Sequence, residues 1–318
     1  MKKVLQFVKI LILPLIAYLI FVIVSNGRFG SFGVVKKFVL QSVYPTIIGL
    51  ALYNIMEMGL WDFTPGSVLL LSGIVGGNLA TTLNLGLVGM VLVTIGTAMI
   101  LTVINCLVLQ YTKIPPMIAS CGVLMVYETL AAVLFNGTYT MNRSWSFLGR
   151  APWAYIIFLV CLAVCLFINK KTTFAYNVRA LGRGQNVAVS IGVNMNRTGL
   201  IAYLLEGVFL GIAAVLYLCT QGSASAKMNM ASTSISLTAI IAVVVGQHLS
   251  ELCNPVVGIW IGTVTIKIIS SGLLSLGVST AWQKIINGIF FALLLLVFSV
   301  KDILEDQKKR QTRIKALQ

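Results

Sequence analysis

Acidic side chains are scarce in this chain: eight Asp and Glu stand against 23 Lys and Arg, with one histidine in 318 residues. His248 is too isolated to complete a metal centre with Cys161 and Cys165, which are four apart on one apolar run, because a closed site needs further ligands. It is expected instead to be a hydrogen-bonded helix-end residue. No G-x-x-x-x-G-K-[ST] occurs, which excludes a P-loop nucleotide site of the chain's own. Strand-period alternation is absent from the apolar runs, which argues against a β-barrel. An A-x-A cleavage pattern is also missing after the first apolar run, where the chain reads Ser25-Asn26-Gly27-Arg28, so a retained helix is expected rather than a removed signal peptide.

Apolar residues fill the space left by these absences. Hydrophobic residues make up 58% and charged residues 10%, with a mean hydropathy of +0.97, more apolar surface than one soluble core can bury. Runs of roughly 20 apolar residues suit membrane-crossing helices. Ten such runs stand out, at 8–25, 38–58, 66–84, 86–110, 116–136, 151–169, 198–219, 233–250, 255–277 and 281–300. The expected fold is all-α: a single polytopic bundle over 1–318 with about ten transmembrane helices. The six cysteines lie in or beside these runs and read as small packing residues.

Lys and Arg in short loops stay on the cytoplasmic side, which orients the bundle. With both termini inside, fifteen of the 23 basic residues fall on the inner face and six on the outer, Lys36 and Lys37 among the latter. The basic tail at 301–318 then lies beside an anionic leaflet. This distribution accounts for the net charge of +15, and no aromatic residue is interleaved with the tail, so no nucleic-acid partner is expected.

Three local patterns carry functional meaning. Glu57 and Asp62 flank MEMGLWDFTPGS, where Gly59, Pro65 and Gly66 disfavour a continuous helix. Interrupted helices are where transporters place solute or ion sites, while Asp62 is equally suited to cap the helix starting near Thr64. Gly73/Gly77, Gly207/Gly211 and Gly258/Gly262 have the small-xxx-small spacing that brings helix backbones together in lipid. A polar, basic island at 170–197, KKTTFAYNVRALGRGQNVAVSIGVNMNR, interrupts the apolar runs and marks a surface for a partner outside the membrane.

Together these stretches resemble bacterial ATP-binding-cassette importer permeases of the ribose, xylose and galactoside class, within the branched-chain amino acid permease type. WDFTPGS is similar to their IDLSVGS, with Asp62, Gly66, Ser67 and Val68 in register. Asn105 through Lys113-Ile114-Pro115-Pro116 resembles NG…KIPPFIATLG, and Lys171-Thr172-Thr173-Phe174 with Ala180-Leu181-Gly182, Ala188 and Gly192 resembles KTxFG…AIGGNxxAAxxxGI. The ordered set spans about 40 to 300.

The resemblance implies a bacterial plasma-membrane permease that is no enzyme and binds no cofactor itself. ATP and Mg²⁺ would sit on a separate cytoplasmic subunit, docked on Arg179, Ala180, Leu181, Gly182, Arg183, Val187, Ala188, Ile191 and Gly192. Val187, Ala188, Ile191 and Val193 would form an apolar docking face, with Arg179 and Arg183 at its rim. Glu57, Trp61, Asp62, Ser67, Asn78 and Asn105 are candidates for the path of a small hydrophilic solute, a sugar or nucleoside. Further partners are a second permease chain, identical or not, and an extracellular solute-binding protein docking near 135–150 and 220–232. The pattern departs at Asn186 and Val189, and at Gly246 to Pro255 where only the first glycine of a flexible loop remains; these departures suggest one member of an unequal permease pair. Two other classes stay open: a proton-coupled secondary transporter titrating at Glu57, Asp62, Glu128 or Glu206, and a non-translocating structural subunit.

Overall fold

The computed structural model describes residues 14–25, 28–112, 114–251, 253–279, 281–283, 285–290, 292, 293 and 296. The expected tail at 301–318 and the ends of the first and last apolar runs lie outside these residues.

Helices dominate. They are α1 (Pro14–Val24), α2 (Phe32–Glu57), α3 (Pro65–Thr82), α4 (Gly86–Thr112), α5 (Pro116–Val133), α6 (Trp153–Lys171), α7 (Thr173–Arg183), α8 (Gln185–Ser190), α9 (Met195–Gln221), α10 (Thr233–His248) and α11 (Pro255–Ser275). Helical residues recur at 281–283 and 285–290. Two short strands, β1 (Thr138–Thr140) and β2 (Ser223–Ser225), pair antiparallel with Tyr139 opposite Ala224. They close the end of the bundle opposite α7 and α8.

Among the described residues, six helices are long and apolar enough to cross a membrane: Gly33–Glu57, Gly86–Thr112, Pro116–Gly137, Trp153–Lys171, Met195–Gln221 and Pro255–Ser275. The runs expected at 66–84 and 233–250 behave differently. α3 has 18 residues and α10 has 16, and neither is among these six. They start against each other inside the bundle and run to opposite ends. The Gly66 amide donates to Ser236 Oγ, and Ser236 Oγ donates to the Phe63 carbonyl, both at 2.8 Å. From there α3 reaches β1, where Asn78 Nδ2 donates to Thr138 O at 3.0 Å, and α10 reaches the last turn of α2, where Gln247 Nε2 donates to Glu57 Oε2 at 3.4 Å.

Two halves of like construction follow from these contacts. α2, α3 and α4 form one; α9, α10 and α11 form the other. α4 packs on α9 as α11 packs on α2, and α3 packs on α4 as α10 packs on α11. The halves run in opposite directions, since α2 ends beside α7 and α9 begins after α8.

Glycines set the spacing. A methyl added at Gly207 or Gly211 would overlap the α4 backbone at Met99 or Ile95, and one at Gly258 would meet Gly246 of α10. Gly262 is equally close to Ala242, so two of the three small-residue pairs act at helix crossings. The third differs: Gly77 makes room for the Tyr139 ring, Gly73 has ordinary contact with Leu218, and Gly76, next to Gly77, is the residue pressed on Thr94 of α4. The core is built from Ile47, Leu50, Leu70, Ile74, Leu210 and Val243 of α2, α3, α9 and α10. α4, α5 and α6 turn Leu92, Ile100, Val126, Leu159 and Phe167 outward, an apolar exterior suited to lipid. Cys106, Cys161, Cys165 and Cys219 are buried free thiols in this packing.

Candidate functional site

The break between α2 and α3 is where the backbone leaves helical geometry inside the bundle. Met58 closes α2, and Gly59 follows at φ +78°, a left-handed turn that favours glycine. The chain then runs through Leu60 to Phe63 before Pro65 opens α3 at a position where its missing N–H costs nothing.

Asp62 holds this break together. It is buried, accepts the Thr64 amide on Oδ1 at 2.7 Å, and accepts Asn105 Nδ2 of α4 on Oδ2 at 2.6 Å. Asn105 Nδ2 also reaches Thr64 Oγ1 at 3.2 Å, and Ser67 Oγ donates to the Thr64 carbonyl at 2.8 Å. Freed backbone groups in an apolar interior need such partners. The start of α10 has a matching device. Glu128 of α5 accepts the amides of Met230 and Ser232, each at 2.8 Å, so both short helices begin at a buried carboxylate.

α7 and α8 lie across the other end of α2. Thr172 caps α7 by accepting the Ala175 amide, and Gly184 separates the two helices. Gly182 rests directly on the main-chain carbonyl of Glu57, where any Cβ would collide. Val178, Leu181 and Ala188 are buried against Ile55, Met58, Cys106 and Tyr203, which anchors both helices to the bundle. The apolar face expected of Val187, Ala188, Ile191 and Val193 is therefore split. Ala188 and Val193 pack inward, while Val187 and Ile191 are 69% and 74% exposed. Arg179 is also used internally, donating to the carbonyls of Asn169 (2.8 Å) and Ala175 (3.2 Å); Arg183 is exposed.

A cavity of about 540 Å³ joins the two features. Gly59, Cys106, Gln110 and Tyr203 line it from the bundle, and Leu181 and Gln185 line it from α7 and α8. Movement of α7 thus bears on the same space as movement of the break.

The family described as "Branched-chain amino acid transport system / permease component" matches residues 34–297, from the start of α2 past α11. This chain belongs to that family. Its relatives include the galactose/methyl galactoside import permease of Escherichia coli (strain K12), 26% identical over 316 residues covering 90% of this chain and 92% of that protein. The fructose import permease of Rhizobium meliloti is 23% identical, covering 91% and 83%, and the ribose import permease of Bacillus subtilis (strain 168) is 27% identical, covering 61% and 62%. The family match takes in the break, both short helices and the α7–α8 region, so these belong to the permease component itself.

Within this permease the candidate path residues separate. Asp62, Ser67 and Asn105 come together at the break, and Trp61 packs half-buried beside them on the main core. Glu57 belongs to the α7 contact, and Asn78 ties α3 to β1 at the far end. Ser236 and Tyr203 join the site without having been singled out from sequence. Ser236 lies 170 residues from Gly66, and no local spacing announces such a pairing. His248 Nδ1 lies 2.9 Å from the Val244 carbonyl, a helix-end contact.

Proposed function

We propose that the chain is a membrane-spanning subunit of an ATP-driven importer of a small, neutral, hydroxylated solute of the monosaccharide class. The observation that carries this is the match to the galactose/methyl galactoside import permease along 90% of the chain. The chemistry agrees: the break offers amide, hydroxyl and carboxylate groups, and both buried helix starts are already occupied by Asp62 and Glu128, which disfavours an anionic solute there.

In this reading ten helices pass into the bacterial plasma membrane, α3 and α10 meeting within it, and both termini face the cytoplasm. α7 and α8 lie on the inner side, where a separate subunit carrying ATP and Mg²⁺ docks on Val187, Ile191 and Arg183. Closure of that subunit pushes α7, and Gly182 passes the push to the end of α2 and so to the break. The β1–β2 end faces outward, toward a solute-binding protein that delivers the solute, and a second permease chain completes the path. Affinity purification of the chain tests this: an ATP-binding subunit is expected to co-purify, and proteoliposomes of the complex are expected to take up a labelled monosaccharide only with ATP. A complex without an ATPase, or uptake that collapses with the proton gradient and ignores ATP, would refute it.

A further inference from the structure

Glu206, in the middle of α9, is fully buried, and neither of its carboxylate oxygens has a hydrogen-bond partner among the described residues. The side-chain oxygen of Asn105 is likewise without a hydrogen-bond partner among the described residues. Among the described residues the charged group that acts on Glu206 is another carboxylate, Asp62 of the break. Cys106 of α4, Tyr127 of α5 and Tyr203 of α9 itself lie within electrostatic reach of Glu206, and none of them is a cation. The other elements packed on α9 supply no cation to it among the described residues. α3 has no ionisable side chain. On α2, Lys36, Lys37 and Tyr44 lie toward the far end, and Tyr53 interacts with Glu57 and with Arg179. Arg179 of α7 is committed to two carbonyls, and Arg143 stands in the turn that packs on the opposite end of α9.

An ionised, unpaired carboxylate at this depth would lack both water and counter-charge. The cavity of about 540 Å³ is lined by Tyr203 and Cys106 and not by Glu206, which stands one layer behind it. The cation that needs no volume is a proton. We propose that Glu206 is a proton-binding site: it carries a proton while α9 is closed on α4 and the break, and releases it to cavity water when that packing opens past Tyr203. On release the O–H bond breaks heterolytically, the electron pair stays on Glu206 and the proton passes to water as hydronium; closing reverses the step. The proposal deepens the transport reading on which it rests, by making one conformational step of an ATP-driven cycle proton-linked. Alkaline conditions then disfavour the closed arrangement.

Infrared spectroscopy of the purified chain at neutral pH tests the bound proton without any transport assay. A protonated-carboxyl C=O band above amide I is expected, shifted by carbon-13 labelling of glutamate carboxyls and lost in Glu206→Gln. Absence of a label-sensitive band overturns the proposal. Should Glu206→Gln fail to fold, a label-sensitive band retained in each of Glu57→Gln, Glu128→Gln, Glu251→Gln and Glu305→Gln still assigns the proton to Glu206, and its loss in one of these overturns the assignment. In the complete importer, ATP-driven uptake is expected to lose its pH dependence in Glu206→Gln, and an unchanged pH profile overturns the exchange step. A complex that transports no sugar would fail the transport reading while leaving the infrared band to decide the site.

Discussion

Gly182 of α7 lies against the main-chain carbonyl of Glu57, the last residue of α2, with no room for a side chain between them. It is a backbone contact, so it does not depend on rotamers, and it sits immediately before the α2–α3 break.

Gly182→Ala is expected to push α7 off α2 and cost about 1–3 kcal/mol by overpacking. Gly182→Leu should go further, lowering ATP-driven uptake by at least about tenfold while the chain still reaches the membrane. Uptake assays set beside immunodetection of the membrane fraction check this; wild-type uptake in Gly182→Leu would remove the contact from the transmission path.

Asn105 donates to both Asp62 and Thr64, so Asn105→Ala strips a buried carboxylate of a donor. A loss of about 1–3 kcal/mol is expected, seen as a lower melting temperature of the detergent-purified chain. Asn105→Ala combined with Asp62→Asn should recover part of that loss, because the unpaired charge is removed. A double variant no better than the sum of the two singles would argue against the pairing.

Val187 and Ile191 are exposed, whereas Ala188 between them is buried. Val187→Asp and Ile191→Asp should leave thermal stability within about 0.5 kcal/mol of wild type, as surface changes do, yet weaken co-purification of the ATP-binding subunit. Ala188→Asp should instead destabilise the isolated chain. If both outward variants retain the subunit at wild-type yield, the docking face lies elsewhere.

Gly207 and Gly211 hold α9 against α4, the crossing on which Glu206 and Asn105 both depend. Gly207→Leu is expected to separate the helices, with an overpacking cost of about 1–3 kcal/mol or more, whereas Gly73→Ala, at a position with ordinary van der Waals spacing, should be nearly silent. Thermal melts of the two variants, compared directly, decide this.

Much of the architecture can be read without coordinates because it depends on solvent rather than on partners. Long apolar runs must be helical in lipid, since unpaired backbone groups are costly there. Pro65 and Gly59 stop α2 and start α3 through local sterics alone, and Asp62 caps the new helix through a contact two residues away. The α7–α8 segment is visible as a polar island for the same reason: charge is costly at membrane depth.

What local chemistry leaves open is which distant groups meet. Residues 66–84 and 233–250 are apolar enough to pass as spans, yet they form two short helices that start against each other, because Gly66 and Ser236 supply the missing partners from 170 residues apart. The island's amphipathic pattern shows that one face is apolar, but only the packing of Leu181, Ala188 and Val193 onto α2 and α9 leaves Val187 and Ile191 free to point outward. Glu206 is legible as a carboxylate in an apolar run. Its lack of any partner follows only from how α4, α5, α9 and the break close around it. The sequence alone determined that this is a helical membrane permease with an interrupted helix and a polar segment between its apolar runs; tertiary packing decided which carboxylates are satisfied, because hydrogen bonds and close backbone contacts depend on three-dimensional distance.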